Sequence, residues 1–404
     1  MINKYLTTLL INFKLSIGVI LLLGTLSSCE DYLGEETDLG FIEVPQQTFR
    51  EVAYVPVQPI LNQFVFPTDI IAGFDELIYV VDQGTQEVIV MDESGVELGR
   101  KFIQGAKAIA QDRKLNLLVI GTATDESSQA ERSCIYRLNL NTSAGYGLAN
   151  ADITDSIIHP FYFKTTAVSA DEQVVFNRIS VLADNSFYVT RTGPNNSSSQ
   201  SGGPDNSVLL FNDENKFVTP IVVSDNRGAQ FPGYFNQPFA ISTTIKPPQL
   251  SVVDNGGFLF TSLDPSNALK VQFIEKLESP DGVAYTPRTD WNNDTSEADS
   301  FINEPFKFEE PVGVEISGDG SNFIFVVDRK KDSLYQFTST GLEGVQPPPA
   351  SGETKYVNTS FGGTGIGATQ FNNPMAVAYN DQILYVADAG NGRVLRFKLT
   401  LDIR

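Results

Sequence analysis

A Phe stands three residues before a Pro at Phe64/Pro67, Phe235/Pro238, Phe308/Pro311 and Phe371/Pro374, and each Pro opens an apolar run. Downstream, an aromatic-Val-x-Asp ending recurs at Tyr79 to Asp82, Phe325 to Asp328 and Tyr385 to Asp388. After each Asp, a large apolar residue follows six positions on (Val88, Leu334, Val394) and another nine positions on (Met91, Phe337, Phe397). Fixed internal offsets separated by linkers of variable length are what a repeated supersecondary unit leaves in a sequence. A fifth start at Phe102/Gly105 and a sixth near Arg178, without either signature residue, bring the expected number of units to six.

The runs Ile78 to Val81, Leu115 to Ile120, Phe323 to Val327 and Ile383 to Ala387 are apolar nearly throughout, as strands buried on both faces are. Helical periodicity is almost missing, so the chain is expected to be all-β. The C-terminal block Phe361-Gly-Gly-Thr-Gly-Ile-Gly-Ala-Thr-Gln-Phe-Asn-Asn-Pro374, with the strands and the Asn-Gly turn that follow to Phe397, resembles an NHL repeat. The resemblance implies a six-bladed β-propeller of four-stranded blades, a to d, with the Phe-x-x-Pro turn between strand d and the next strand a. After Phe397 only Lys398 to Arg404 remain, so the last blade is expected to take its outer strand from Phe49 to Val57 and so close the ring.

Residues 1–28 read as a targeting leader: Lys4 and Lys14 precede an apolar stretch, Leu15 to Leu26, that is shorter than the roughly 20 residues of a spanning helix. Leu26-Ser-Ser-Cys29 resembles the bacterial lipobox, which implies acylation of Cys29 and a membrane anchor. Residues 29–48 are acidic, glycine-containing and without period, and read as a tether. An acidic run directly after the lipidated Cys resembles surface lipoproteins of Bacteroidetes, which implies an outer-membrane protein facing the exterior. The propeller is expected over residues 49–404.

The formal net charge is −21, and a leader with two Lys and no acid takes it to −23, so a basic footprint for nucleic acid is absent. Cys134, with Cys29 committed to lipid, reads as a buried small hydrophobe in the strand Ser133 to Leu138. Asp82, Asp328 and Asp388 end strands, where a carboxylate accepts backbone N–H groups; with Pro67, Pro238, Pro311 and Pro374 they are structural repeat residues. His159 is the only histidine, too few for a His-based zinc site or for a catalytic triad with a recognisable nucleophile motif. The loop Asp290 to Asp299 offers oxygen ligands of a kind calcium takes, although Thr295 stands where a calcium loop would have Gly.

Extra length is placed at Thr122 to Ser133, Thr192 to Asn206, Ser143 to Glu172 and Ser279 to Glu310, all assigned to b–c and d–a connections on one rim. Loops on a rigid scaffold are where binding residues concentrate. Trp291, Asn292, Asn195 and Asn196 are therefore the expected contacts for a protein or glycan ligand, with no catalytic residue and no cofactor. The alternative is a hydrolase or lyase in the central channel, with or without calcium. Cys29→Ala is expected to abolish labelling by palmitate and to release the protein from membranes; a variant that still labels and sediments with membranes overturns the lipid assignment.

Overall fold

The computed structural model describes residues 51–403 apart from 125, 127–128, 160–170, 198–203, 226, 250–255, 281 and 350. The leader, Cys29 and the tether lie outside the described residues. From Tyr54 onward the strands form six main sheets, each of which is one blade. Blade 1 is Pro67–Ala72, Ile78–Asp82, Glu87–Met91 and Glu97–Phe102. Blade 2 is Ala108–Gln111, Leu117–Thr124, Glu131–Asn139 and Asp152–Ile158. Blade 3 is Val175–Val181, Phe187–Thr192, Ser207–Phe211 and Phe217–Pro220. Blade 4 is Pro238–Thr243, Phe258–Ser262, Val271–Ser279 and Gly282–Pro287. Blade 5 is Pro311–Ile316, Ile324–Asp328, Ser333–Phe337 and Phe361–Gly362.

Blade 6 holds Pro374–Asn380, Ile383–Asp388 and Arg393–Leu399, and its outer position is taken by Tyr54–Pro56, with Tyr54 opposite Leu399 and Pro56 opposite Phe397. Beyond this strand, Leu61 and Val394 exchange backbone hydrogen bonds at 3.2 and 2.9 Å. The a strands touch one another in the cyclic order of blades 1 to 6 and back to 1, around a common axis. The core is a set of layers between successive blades, such as Phe176, Phe187, Val189, Leu209 and Phe211 with Leu118, Ile120 and Ile135. Strands a and b are buried almost completely, which is why their sequences read as apolar runs.

The outer strands explain where the sequence reading placed connections differently. Ser143 to Glu172 is not one d–a connection, because Asp152–Ile158 is strand d of blade 2, and Ser279 to Glu310 likewise contains strand d of blade 4, Gly282–Pro287. Each lies at the solvent edge of its blade, where one face needs no apolar residues; the first five residues of Asp152–Ile158 are exposed. In blade 2 the b–c extension is also shorter than Thr122 to Ser133, since Thr122 to Thr124 pair with Glu131 to Ser133 in the ladder.

Asp82, Asp328 and Asp388, all fully buried, each pair in register with the Pro that opens strand a (Pro67, Pro311, Pro374). Their carboxylates close the Phe-x-x-Pro loop. Asp82 accepts the N–H groups of Val65, Phe66 and Gly84 at 2.7, 2.9 and 3.0 Å. Asp328 accepts those of Glu309, Glu310, Lys330 and Lys331 at 2.6 to 3.1 Å. Asp388 takes the Asn372 N–H at 2.7 Å, together with the Asn391 amide and Arg393 Nε. Hydrogen bonds to a charged acceptor contribute about 1.5–3 kcal/mol each and leave costly orphan donors when removed. Asp328→Ala is expected to lower stability by about 3 kcal/mol in denaturant unfolding, with Asp328→Asn costing less; an unchanged unfolding midpoint would show that the loop is held by something else.

Candidate ligand-binding face

Each strand a carries a β-bulge just after the Pro position in blades 1, 3, 4, 5 and 6. A bulge raises local twist and re-aims a side chain. The residues at the next register position form one layer around the axis: Asp69, Ala108, Arg178, Ala240, Gly313 and Ala376. Four of them are Ala or Gly, and this small layer leaves room for a single guanidinium. Glycine is needed at 313, since a Cβ there would come within 3.0 Å of the Ala376 Cα.

Arg178 occupies that room. Its Nε faces Asp69 Oδ1 at 3.6 Å, Nη1 donates to the Asn177 carbonyl at 3.1 Å, and Nη2 donates to the carbonyls of Thr68 and Met375 at 2.9 and 3.3 Å. The guanidinium carbon lies 5.0 Å from the Phe239 ring centre. One side chain thus joins blades 1, 3, 4 and 6 across the axis. The Asp69 carboxylate is in turn fixed by the N–H groups of Ile70 and Ile109 at 3.1 and 2.9 Å. Burial pushes the Asp69 carboxyl up against the opposing pull of Arg178, and burial pushes Arg178 down. Neither group is stable there without the other.

Below this layer the axis is lined by Ile70, Ile109, Ile179, Ile241, Val314 and Val377, and below them Lys246 Nζ meets Glu315 at 2.7 Å. Burial raises the Glu315 carboxyl, opposed by Lys246. Only about 30 Å³ of open space remains in this part of the channel, room for a water molecule and not for a sugar ring or a peptide. The filled channel moves attention to its mouth, on the face shared by d–a and b–c connections. There, Lys107 Nζ donates to Asn177 Oδ1 at 2.9 Å and lies 5.7 Å from the Phe239 ring centre. Arg329, the first residue after strand b of blade 5, holds Glu310 at 2.6 Å. Burial, with Arg178 and Arg329 as like charges, pushes the Lys107 ammonium down to about 7.

Asn195 and Asn196 are on the same face, in the b–c loop of blade 3. The Asn195 N–H donates to Asp205 Oδ2 at 2.7 Å and Asn196 Oδ1 accepts the Asn206 N–H at 2.7 Å, so both ends of the loop are pinned around residues 198–203. Trp291 and Asn292 are held elsewhere. The Asn292 N–H donates to the Thr340 carbonyl at 2.9 Å, within the c–d connection of blade 5. A c–d connection leaves the opposite end of its strands from a b–c loop, so the four residues do not share a surface. Trp291 is also half-buried against the blade 4–5 core, with Arg288 5.3 Å from its ring, and its edge fills the space beside Gly341 (φ +94°), where a Cβ would lie 2.7 Å from the indole. It is a packing residue more than an exposed contact.

The remaining polar candidates are accounted for locally. Asp294 accepts from Ser296, Asp299 pairs with Lys355 at 2.5 Å and Asp290 faces Arg288 at 3.5 Å, so these carboxylates do not converge. Among the described residues no group of three or more His, Cys, Asp or Glu side chains is placed to hold a metal ion. His159 is buried against the edge of Phe176 and held neutral, its pKa pushed down to about 3 by burial and by Arg191 and Arg132. Cys134 is buried, with its thiol pushed up to about 12 by that burial. A recess of about 550 Å³ between blades 3 and 4 is lined by Asp184, Tyr188, Asn212 and Lys276, the last paired with Glu278 at 2.7 Å.

The chain is therefore a six-bladed β-propeller with a filled axis. No protein-family profile matches it, and no curated protein is detectably similar in sequence. Solved propellers resemble it in shape. An auxiliary nutrient binding protein from Bacteroides ovatus matches with 11% identity and a TM-score of 0.47 over 86% of this chain and 77% of that one. A PQQ-bound aldose sugar dehydrogenase from Streptomyces coelicolor matches with 12% identity and a TM-score of 0.49, over 86% and 98% of the two chains. A virginiamycin B lyase from Staphylococcus aureus matches with 9% identity and a TM-score of 0.42, over 86% and 99%. Binding proteins and enzymes stand side by side among them, so the function is read from the site.

Removing one partner of a buried ion pair costs about 3–5 kcal/mol, because the other charge is left unpaired. Arg178→Met is expected to lower stability by that amount, and Arg178→Met with Asp69→Leu to recover most of it. A double variant no better than the single one would show that the three carbonyl bonds, and not the charge pair, hold the axis.

Proposed function

We propose that this protein is a non-enzymatic binding propeller, anchored to the bacterial outer membrane through a lipid on Cys29, facing the exterior, and engaging a protein or glycan ligand with the face that carries the channel mouth and the b–c loops. The observation that carries this reading is the filled axis. Arg178, the aliphatic ring and the Lys246–Glu315 pair take up the space that a central-channel hydrolase or lyase would need for its substrate. The working surface is then the loop face, where blade 3 extends its b–c connection and the exposed Asn196 stands beside half-exposed Asn195. The NHL-like repeat and the acidic run after Cys29 support the same address and architecture.

The test uses the mature chain on intact cells. Surface display predicts loss of the protein on protease shaving of whole cells, and capture of a glycan or envelope protein that survives Trp291→Ala but weakens when Asn195 and Asn196 are replaced by Ala. If capture is indifferent to both Asn replacements and is abolished instead by changes on the a–b turns, the binding face is the opposite one. If the purified chain turns over a glycan that it binds, the non-enzymatic reading falls.

A further inference from the structure

Closing the ring joins blade 6 to blade 1 but leaves each blade with an outermost strand, whose far side carries unpaired N–H and C=O groups. Five of the six are short, overlaid or acidic. Blade 6 ends in the three residues Tyr54–Pro56, blade 5 in the two residues Phe361–Gly362, and blade 3 in the four residues Phe217–Pro220. Blade 4 is overlaid by Val223–Ser224 and Gln230–Phe231. Blade 2 ends in Asp152–Ile158, which carries Asp152 and Asp155 and a bulge between Ile153 and Asp155. Blade 1 differs. Its outermost strand, Glu97–Phe102, runs six residues with a bulge only at its beginning, and no described segment pairs with its far side.

This strand is also apolar where it meets solvent. Val96, just before it, is 58% exposed, Leu98 54% and Phe102 61%. Ala149 of blade 2 lies over one face at Gly99, 3.6 Å from where a Cβ would stand, while Leu98, Arg100 and Phe102 alternate onto the other, open face. The charges are divided about Gly99, with Glu97 before it and Arg100 and Lys101 after it. Arg100 pairs with Glu97 and Glu87 at 2.6 and 2.9 Å, whereas Lys101 has no carboxylate partner among the described residues. A strand divided in this way is complementary to itself read backwards. Laid antiparallel about Gly99, two copies set Val96 against Phe102, Glu97 against Lys101 and Leu98 against Arg100. The same operation on blade 2 about Asp155 opposes Asp155 to itself, and like charges directly opposite are destabilising.

We propose that the outer strand of blade 1 is a self-association edge: a second copy of this chain adds its own Glu97–Phe102 antiparallel, and the two blades form one continuous sheet across a twofold axis. The same patch then serves both copies, as in any closed twofold dimer. The net charge of −21 opposes contact between copies. Screening limits that repulsion to about 8 Å at physiological salt, and the strand itself carries two cations against one acid. A ladder of this length buries little area, so the association is weak and concentration-dependent. It uses the perimeter of the propeller rather than the loop face, and it stands whichever face binds the ligand.

Sedimentation velocity of the mature chain carrying Cys29→Ala, so that no lipid contributes, tests this between about 1 and about 200 µM. The parent is expected to pass from monomer to dimer across that range. Glu97→Lys and Lys101→Glu each set like charges against one another at both ends of the ladder, and each variant alone is expected to stay monomeric. Mixed in equal amounts, the two restore opposite charges and should form a heterodimer. Exposed charges contribute little to folding, so the melting temperatures of both variants should match that of the parent. A parent that is monomeric at every concentration overturns the proposal and leaves the edge to a strand of another protein. Dimers indifferent to both charge reversals place the interface elsewhere, and variants that stay apart when mixed exclude the antiparallel pairing; either result overturns it. Should a charge variant fail to fold, Leu98→Lys, expected to weaken dimerisation at least tenfold, decides the matter.

Discussion

A buried carboxylate at the end of strand b, accepting N–H groups from the loop that precedes strand a, is the interaction on which the rest of this propeller depends. It fixes where strand a begins. The Pro at that point has no N–H to place, so the ladder starts without an orphan donor. The bulge that follows turns the next register position towards the axis. In blades 1, 5 and 6 the residues that reach the centre, Asp69, Gly313 and Ala376, are set there by loops pinned by Asp82, Asp328 and Asp388.

The blades that lack this carboxylate solve the same problem with other chemistry, and this is why the repeat fades in the middle of the sequence. In blade 3 the polarity is inverted: Arg191 stands at the Asp position and donates to the carbonyls of Asp205 and Pro204 at 3.0 and 2.9 Å, gripping the b–c loop. In blade 4 Ser262 stands there and donates to the Asn236 carbonyl at 2.6 Å. In blade 2 the loop itself comes so close that only Gly121 fits, with the Gln104 carbonyl 2.5 Å from where a Cβ would be. The register is common to all six blades, but the side chains that enforce it are acceptor, donor or nothing at all, so a pattern built on Phe, Pro and Asp sees four clear copies and guesses two.

Inner strands were legible because burial on both faces writes an apolar run, and outer strands were not because one wet face dilutes it; Asp152–Ile158 and Gly282–Pro287 were absorbed into connections for that reason. Of the candidate site, the blade 3 loop with Asn195 and Asn196 was legible from its Ser/Gly/Asn composition. Trp291 was expected to be exposed and is half-buried, since a polar loop sequence does not tell that the indole folds back beside Gly341. The channel mouth was missed. Lys107, Asn177 and Phe239 are far apart in sequence and belong to three blades, and only their shared register position at the start of strand a brings them together. The one available signal was the interruption of an Ala- and Gly-rich register position by a single Asp and a single Arg.

Tyr54 and Leu399 face one another in the outer ladder of blade 6, so the first strand of the ring is partnered by the last. In a chain that emerges from its N-terminus, Tyr54–Pro56 waits through the appearance of every other blade before its partner exists, and contacts of such sequence separation form slowly because the whole intervening chain must first be ordered. A product truncated anywhere before Leu399 leaves that strand without a place in the ladder and leaves the apolar flank of blade 1 open. The joint thus distinguishes a finished chain from an unfinished one, and gives cellular quality-control machinery an exposed edge to find on any molecule that stopped short.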